Sequence, residues 1–323
     1  MGKRVLITGG SGFLGAALVH KMLGEGWDVR VLDDNSRGRP RRLAGVANDI
    51  EFVQGDVRSA DDVEKASRNV DALAHLAFVN GTEFFYSKPK LVLEVGVKGA
   101  LNTLEACLKN NVPRYWLMSS SEVYQTPPVV PTDESVPMSI PDPLNPRYSY
   151  GGGKLISELL AVNYGRERFE QVVIVRPHNV YGPDMGREHV IPQLIDRVDA
   201  ICRETDAAEI ALPIKGNGRQ TRSFVYVDDF TDGCALAFTR GEHLNVYHVG
   251  TRDELTIATL AQKVAASFGR LARIVPSEAP QGETSRRCPD ITKISALGYR
   301  PAVTLEEGID QTRRWYVAHP DER

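Results

Sequence analysis

The 323-residue chain is 42% hydrophobic and 25% charged, with a formal net charge of −3. That composition is ordinary for a globular protein with a large core, long enough for one large domain and a smaller one. The near-neutral charge excludes an overall basic footprint for nucleic acid. The first apolar strand begins by Val5, leaving no room for a signal or transit segment. No apolar run approaches the ~20 residues that span a bilayer. Cys107, Cys202, Cys234 and Cys288 are scattered, without CxxC, and the seven histidines have no HxH or HExxH spacing. The expectation is a reduced, cytoplasmic protein with no membrane partner and no metal.

In chain order, Arg4–Thr8 predicts the first strand, and Thr8-Gly9-Gly10-Ser11-Gly12-Phe13-Leu14-Gly15 follows it into a helix over Leu14–Leu23. Glycines between a strand and a helix allow a tight turn and close backbone approach to a pyrophosphate at the helix N-terminus. Val29–Leu32 is the second strand. Asp33 at its end is spaced to bind the adenosine ribose hydroxyls, which favours NAD over NADP, although Arg37 stands nearby. The basic run Arg37 to Arg42 reads as a solvated loop, because Gly38 and Pro40 break any regular face. Ile50–Val53 is the third strand. Gly55-Asp56-Val57 follows it, and Asp56 either bonds the adenine amino group or caps the next helix, around Asp61–Arg68. Ala72–Leu76 is the fourth strand, ending in His75-Leu76-Ala77, and His75 reads as a packed, hydrogen-bonded side chain.

Tyr86 and Lys90 are four apart, but Pro89 between them would break a helical turn. Leu91–Lys109 is helical, Arg114–Met118 a fifth strand and Thr126–Pro146 a proline-rich ordered loop. Gly151–Arg168 is helical and Val172–Val175 a sixth strand. Tyr150 and Lys154 also lie four apart, so on a helix they share a face. A neighbouring ammonium would lower the phenol toward neutrality and make it a base for a sugar or alcohol hydroxyl. Strands alternating with helices predict an α/β, Rossmann-type, doubly wound parallel sheet. After Arg176 the pattern loosens into a smaller C-terminal α+β substrate lobe. Ile191–Arg203, Leu255–Phe268 and Val303–Ala318 read as its helices, and Ser223–Val249 as strand-helix-strand returning to the first lobe. The expected division is 1–175 plus about 223–249 for NAD, and about 176–222 and 250–323 for substrate.

Together these motifs resemble those of the extended short-chain dehydrogenases/reductases, in the NAD-dependent nucleotide-sugar epimerase/dehydratase group. The resemblance rests on the Thr8–Gly15 turn, Asp33, Asp56, His75-Leu76-Ala77, Ser119-Ser120-Ser121-Glu122-Val123-Tyr124 and Tyr150-xxx-Lys154. It continues through Arg176-Pro177-His178-Asn179-Val180-Tyr181-Gly182-Pro183 and Arg222 to Asp229. It implies NAD held by Gly9, Gly12, Phe13, Leu14, Gly15, Asp33, Asp56, Val57, Leu76, Ala77, Tyr150, Lys154 and Pro177. It also implies Ser120, Glu122, Tyr150 and Lys154 as catalytic residues. Asn179, Val190, Arg222 and either Arg286 or Arg287 would contact a nucleotide-sugar substrate, and Arg187–Pro192 would line its pocket. A homodimer through the helices at Leu91–Lys109 and Gly151–Arg168 is a further implication.

Five positions depart from the family pattern. Gly151, Gly152 and Gly153 separate Tyr150 from Lys154, at a cost of roughly 3 kcal/mol relative to alanine in a helix. Gly96 stands where many relatives have asparagine, and Gln125 where glycine is common.

In this family a sugar carbon, usually C4, is oxidised first, and the transient ketone leads to epimerisation, dehydration or decarboxylation. Glu122 accompanies dehydratases and decarboxylases, but no second acid stands beside it to protonate a leaving hydroxyl. The reading placed first is a C4 epimerase, an isomerase rather than a lyase. A 4,6-dehydratase or a UDP-glucuronate-type decarboxylase is the alternative. A non-catalytic dinucleotide-binding scaffold is disfavoured because Ser120, Tyr150 and Lys154 are all retained.

Overall fold

The computed structural model describes residues 2–278, 285–320 and 322. Seven parallel strands form its central sheet: β1 (Arg4–Thr8), β2 (Asp28–Asp33), β3 (Ile50–Gln54), β4 (Ala72–His75), β5 (Arg114–Met118), β6 (Gln171–Pro177) and β7 (Asn245–Val249), in spatial order 7-6-5-4-1-2-3. Alternate residues feed two cores. Val5, Ile7, Val31, Ala74, Trp116 and Val173 face one side, and Leu6, Leu32, Leu73, Leu117 and Ile174 face the other. A strand buried on both faces reads as a continuous apolar run, which is why periodicity of two is absent from the sequence. Thr8 stands opposite both Leu32 and His75, so the carboxyl ends of β1, β2 and β4 are level. The strand order reverses between β1 and β4, which opens a crevice there.

The helix expected over Leu91–Lys109 is interrupted. Helix Pro89–Leu93 passes through a widened, π-helical turn at Glu94–Lys98 before helix Gly99–Asn110. Pro89 opens that helix at a position needing no N–H donor, and Tyr86 belongs to the preceding helix, Thr82–Ser87. Helix Ser149–Gly165 carries Tyr150 and Lys154. Val225–Tyr226 and helix Val227–Arg240 lead back to β7, which pairs with β6. The loop from 126 to 146 is tied to the C-terminal part by the Thr132 amide on the Cys288 carbonyl (2.9 Å) and the Asp290 amide on the Thr132 carbonyl (2.7 Å).

A second core lies among helices Val190–Glu204, Ile257–Ser267 and Leu305–Ala318, around Leu194, Val198, Leu260 and Ile309. It also contains a parallel pair, Glu209–Lys215 with Leu271–Ser277, absent from the sequence reading. Ile210, Leu212 and Ile214 alternate with exposed residues in that strand. Pro213 within it is what hides the signal, since proline lowers a strand assignment. Among the described residues, no helix is long and apolar enough to cross a membrane.

Candidate active site

A cleft of about 580 Å³ opens at the carboxyl ends of β1, β2 and β4. The glycine turn forms its floor. Gly9 has φ +73°, a conformation L side chains rarely adopt, and a Cβ on Gly15 would lie 2.0 Å from the Gly9 carbonyl. Helix Phe13–Gly24 begins at Gly12 with no side-chain cap, so its first amides are left toward the cleft. Phe13, Leu14, Val57, Leu76, Ala77 and Pro177 also line it. This shape, with bare helix amides and no Cβ in the way, fits a dinucleotide pyrophosphate.

Asp33 is buried, with Oδ2 accepting from the Ser11 amide and Oδ1 from the Asn35 amide, both at 2.9 Å. Its carboxylate is thus oriented at the cleft edge. Arg37 donates to Glu188 Oε1 (3.0 Å) and lies over the Phe84 ring. The basic run is not a solvated loop: Arg41 and Arg42 pair with Asp184, which ties it to the segment after β6. Asp56 lines the cleft, but Arg58 holds its carboxylate and keeps its pKa below the usual range. The helix cap is Ser59 rather than Asp56. His75 is buried with Nδ1 2.8 Å from Thr8 Oγ1, and burial lowers its pKa to about 3.

Ser120, Glu122, Tyr150 and Lys154 converge on the inner end of the cleft. Ser120 caps the turn Ser121–Tyr124 by accepting the Glu122 amide, and its hydroxyl acts on the Tyr150 phenol. Lys154 Nζ donates to the Met118 carbonyl (2.6 Å) and sits 4.0 Å from the centre of the Phe78 ring. Burial lowers Lys154 to about 7. The expected lowering of Tyr150 is not found: burial pushes the phenol above its ordinary value, Glu122 adds to the rise, and only the Ser120 bond opposes it. The cause is burial; Lys154 shares the helix face with Tyr150, but its Nζ meets the Met118 carbonyl and the Phe78 ring.

The triple glycine now has a partial explanation. A Cβ on Gly151 would lie 2.3 Å from Gln125 Nε2 and 2.9 Å from the Glu122 carbonyl, and one on Gly153 would lie 2.9 Å from Phe78 Cζ. Gly152 meets only ordinary contact with Ile140; nothing in the structure demands glycine there. Gln125 has φ +53°, which explains why glycine suits that position elsewhere.

Glu122 keeps 27% of its side-chain exposure and accepts from Arg287 Nη1 at 2.5 Å. Burial alone would raise its pKa, but Arg287, then Arg147 and Arg222, outweigh it and hold the carboxylate below the usual range. Of the two candidate arginines, Arg287 lines the cleft. Arg286 points away and pairs with Glu254 at 2.7 Å, since successive strand residues face opposite sides. Arg222 is the register partner of Arg287 but does not itself line the cleft. Asn179 lines it, with its side-chain amide on the Ser223 carbonyl (2.8 Å). Val190 starts its helix and packs into the second core instead, while Arg187, Glu188 and His189 line the cleft. Phe78, Phe85 and Arg147 were missed; only their nearness to His75-Leu76-Ala77 and to Tyr150 could have marked them.

The sequence pattern of the NAD-dependent epimerase/dehydratase family matches residues 5–250. A UDP-glucuronic acid decarboxylase of Arabidopsis thaliana is 31% identical over 95% of this chain and 68% of its own length. The crystal structure of a Streptomyces venezuelae dTDP-glucose 4,6-dehydratase with NAD bound superposes with a TM-score of 0.85, at 31% identity over 98% of this chain and 97% of that one. That of a Thermus thermophilus UDP-glucose 4-epimerase with NAD gives 0.84, at 28% identity over 97% and 99%.

Proposed function

The chain belongs to the NAD-dependent epimerase/dehydratase family, and within it we propose a decarboxylase acting on a nucleotide-linked uronate. NAD bound by Gly9, Gly12, Phe13, Leu14, Gly15, Asp33, Asp56, Val57, Leu76, Ala77 and Pro177 supplies reversible hydride removal at a sugar carbon. Residues 1–175 and about 223–249 hold that cofactor together with Pro177, and about 176–222 with 250–323 otherwise hold the nucleotide sugar. Tyr150 takes the C4 hydroxyl proton and Ser120 bonds the same oxygen. Lys154 holds the nicotinamide ribose. Asn179, which lines the cleft, serves the diphosphate. Arg287 holds the substrate carboxylate, which leaves as carbon dioxide when the C5–C6 bond breaks. The electron pair of that bond passes to the oxygen bonded by Ser120 and Tyr150, C5 takes up a solvent proton, and C4 regains its hydride while Tyr150 returns the proton to the oxygen, which gives the pentose. The raised Tyr150 phenol must therefore be lowered by the charges of the assembled complex.

The observation that carries this reading is the Glu122–Arg287 pair. A carboxylate held below its usual pKa is a weak base for the C5 proton and no acid for a C6 hydroxyl. Dehydration would have to draw both agents from this one paired carboxylate, which disfavours it. Epimerisation needs neither, yet leaves the pair without a task. Decarboxylation needs neither and uses an arginine, whose fork suits a carboxylate. C4 epimerisation, the reading placed first from sequence, stands second, favoured by Ser120, Tyr150 and Lys154 sufficing for it.

Incubation with UDP-, GDP-, CDP- and dTDP-linked uronates and neutral hexoses tests the choice by product chromatography. A pentose product from a uronate is expected; an epimer from a neutral hexose, with uronates inert, reverses the order. A homodimer is proposed through helices Pro89–Leu93 and Ser149–Gly165, where Leu93, Ile156 and Leu159 are exposed, whereas Leu104 is buried within the protomer.

A further inference from the structure

We propose that Phe78 is a positioning residue for the Tyr150–Lys154 pair, seated in a notch that Gly96 and Gly153 leave for its ring. The inference rests on the roles given to Tyr150 and Lys154 above. Three separate segments build the notch: the stretch after β4, the π-helical turn Glu94–Lys98 and helix Ser149–Gly165. A Cβ on Gly96 would lie 2.2 Å from Phe78 Cζ, and one on Gly153 would lie 2.9 Å from it. Neither distance occurs in real packing, so the ring and the two glycines require one another. The ring does not merely fill space. It meets Tyr150 edge-on at 5.1 Å and 79°, while Phe85 stacks on Tyr150 at 5.0 Å and 19°. Tyr150 is thereby fixed between two rings.

Lys154 is fixed on the same ring, 4.0 Å from its centre, with the Met118 carbonyl on Nζ. A cation over an aromatic face is attracted by the ring quadrupole, while the ring's bulk keeps water away. The titratable groups acting on this pair are Glu158 on the same helix, His75 from β4 and Glu122 from the turn after β5. Burial is the largest influence on Lys154 and brings it to about 7. Phe78 supplies part of that burial. The widened turn fits this account, because such turns inside helices recur where a local distortion serves a site.

Two measurements test the proposal. Competitive acylation of Lys154 across pH, read by mass spectrometry, requires no substrate. Phe78→Ala removes the ring's attraction for the ammonium but also admits water, and because burial is the largest influence on Lys154 its midpoint is expected to move up by about one pH unit or more. The second measurement is turnover of the nucleotide sugar. Phe78→Ala should lower kcat on the order of 10-fold, with KM within about threefold, as misplaced reacting groups do. Gly153→Ala should lower kcat by displacing the ring. An unmoved Lys154 midpoint with unchanged kcat in Phe78→Ala overturns the proposal. If the wild-type protein converts no nucleotide sugar, the assignment of the reaction falls. The Lys154 midpoint then decides alone for Phe78, a shift supporting it and constancy refuting it.

Discussion

Lys154→Met should make the nucleotide-free protein more stable at pH 6 and lose that advantage as pH rises. Lys154 is 3% exposed and its pKa falls from 10.5 to about 7. Below pH 7 the folded state carries a buried ammonium and its full desolvation cost. Between about 7 and 10.5 the unfolded amine holds a proton that the folded amine has lost, so wild-type stability rises with pH through that window. At about 1.4 kcal/mol per pKa unit the gap is worth at most about 5 kcal/mol. Methionine leaves the Met118 carbonyl without its donor, which costs about 1 kcal/mol. The variant should thus gain up to about 4 kcal/mol at pH 6, and the difference should shrink by about 3 kcal/mol by pH 9. Urea denaturation at constant ionic strength, followed by far-ultraviolet circular dichroism at both pH values, measures this. Wild-type and variant curves moving together between pH 6 and pH 9 would refute the reasoning.

Tyr150→Phe should reduce turnover by ~10²–10⁴-fold with folding and NAD binding intact, because only the phenolic oxygen is lost; Tyr86→Phe, at a half-exposed position, is the control and should do little. Glu158→Gln should lower stability by about 3–5 kcal/mol in thermal melts, since it strands the buried Arg176 guanidinium that Glu158 now accepts from at 2.6 and 2.9 Å. The purified protein should release NAD rather than NADP on denaturation, because Asp33 repels a 2′-phosphate and Arg37 is engaged by Glu188; chromatography showing NADP alone would reject the Asp33 assignment.

Local pattern made the sheet legible. Arg4–Thr8 and Arg114–Met118 have the bounds read from their apolar runs, and the glycine turn sits where strand meets helix. What stayed hidden depends on partners distant in sequence. Arg37 meets Glu188 across 151 positions, so its run looked solvated. The break at Glu94–Lys98 answers a ring from the stretch after β4, and helical periodicity carries no trace of it. The choice between Arg286 and Arg287 follows from strand register, which fixes which of two adjacent side chains faces the cleft. Spacing placed Tyr150 beside Lys154 correctly. It was silent on how deeply the pair is buried, and burial reversed the expected shift of the phenol.

The most direct test of the Glu122–Arg287 account uses a nucleotide-linked uronate labelled with carbon-13 at its carboxyl group, followed by NMR in deuterated water. The wild-type protein should release the label as carbon dioxide and bicarbonate and place one solvent deuterium on C5 of the pentose product. Arg287→Met should release none while still retaining NAD. Label remaining in an epimerised uronate, or release undiminished in Arg287→Met, would contradict the account.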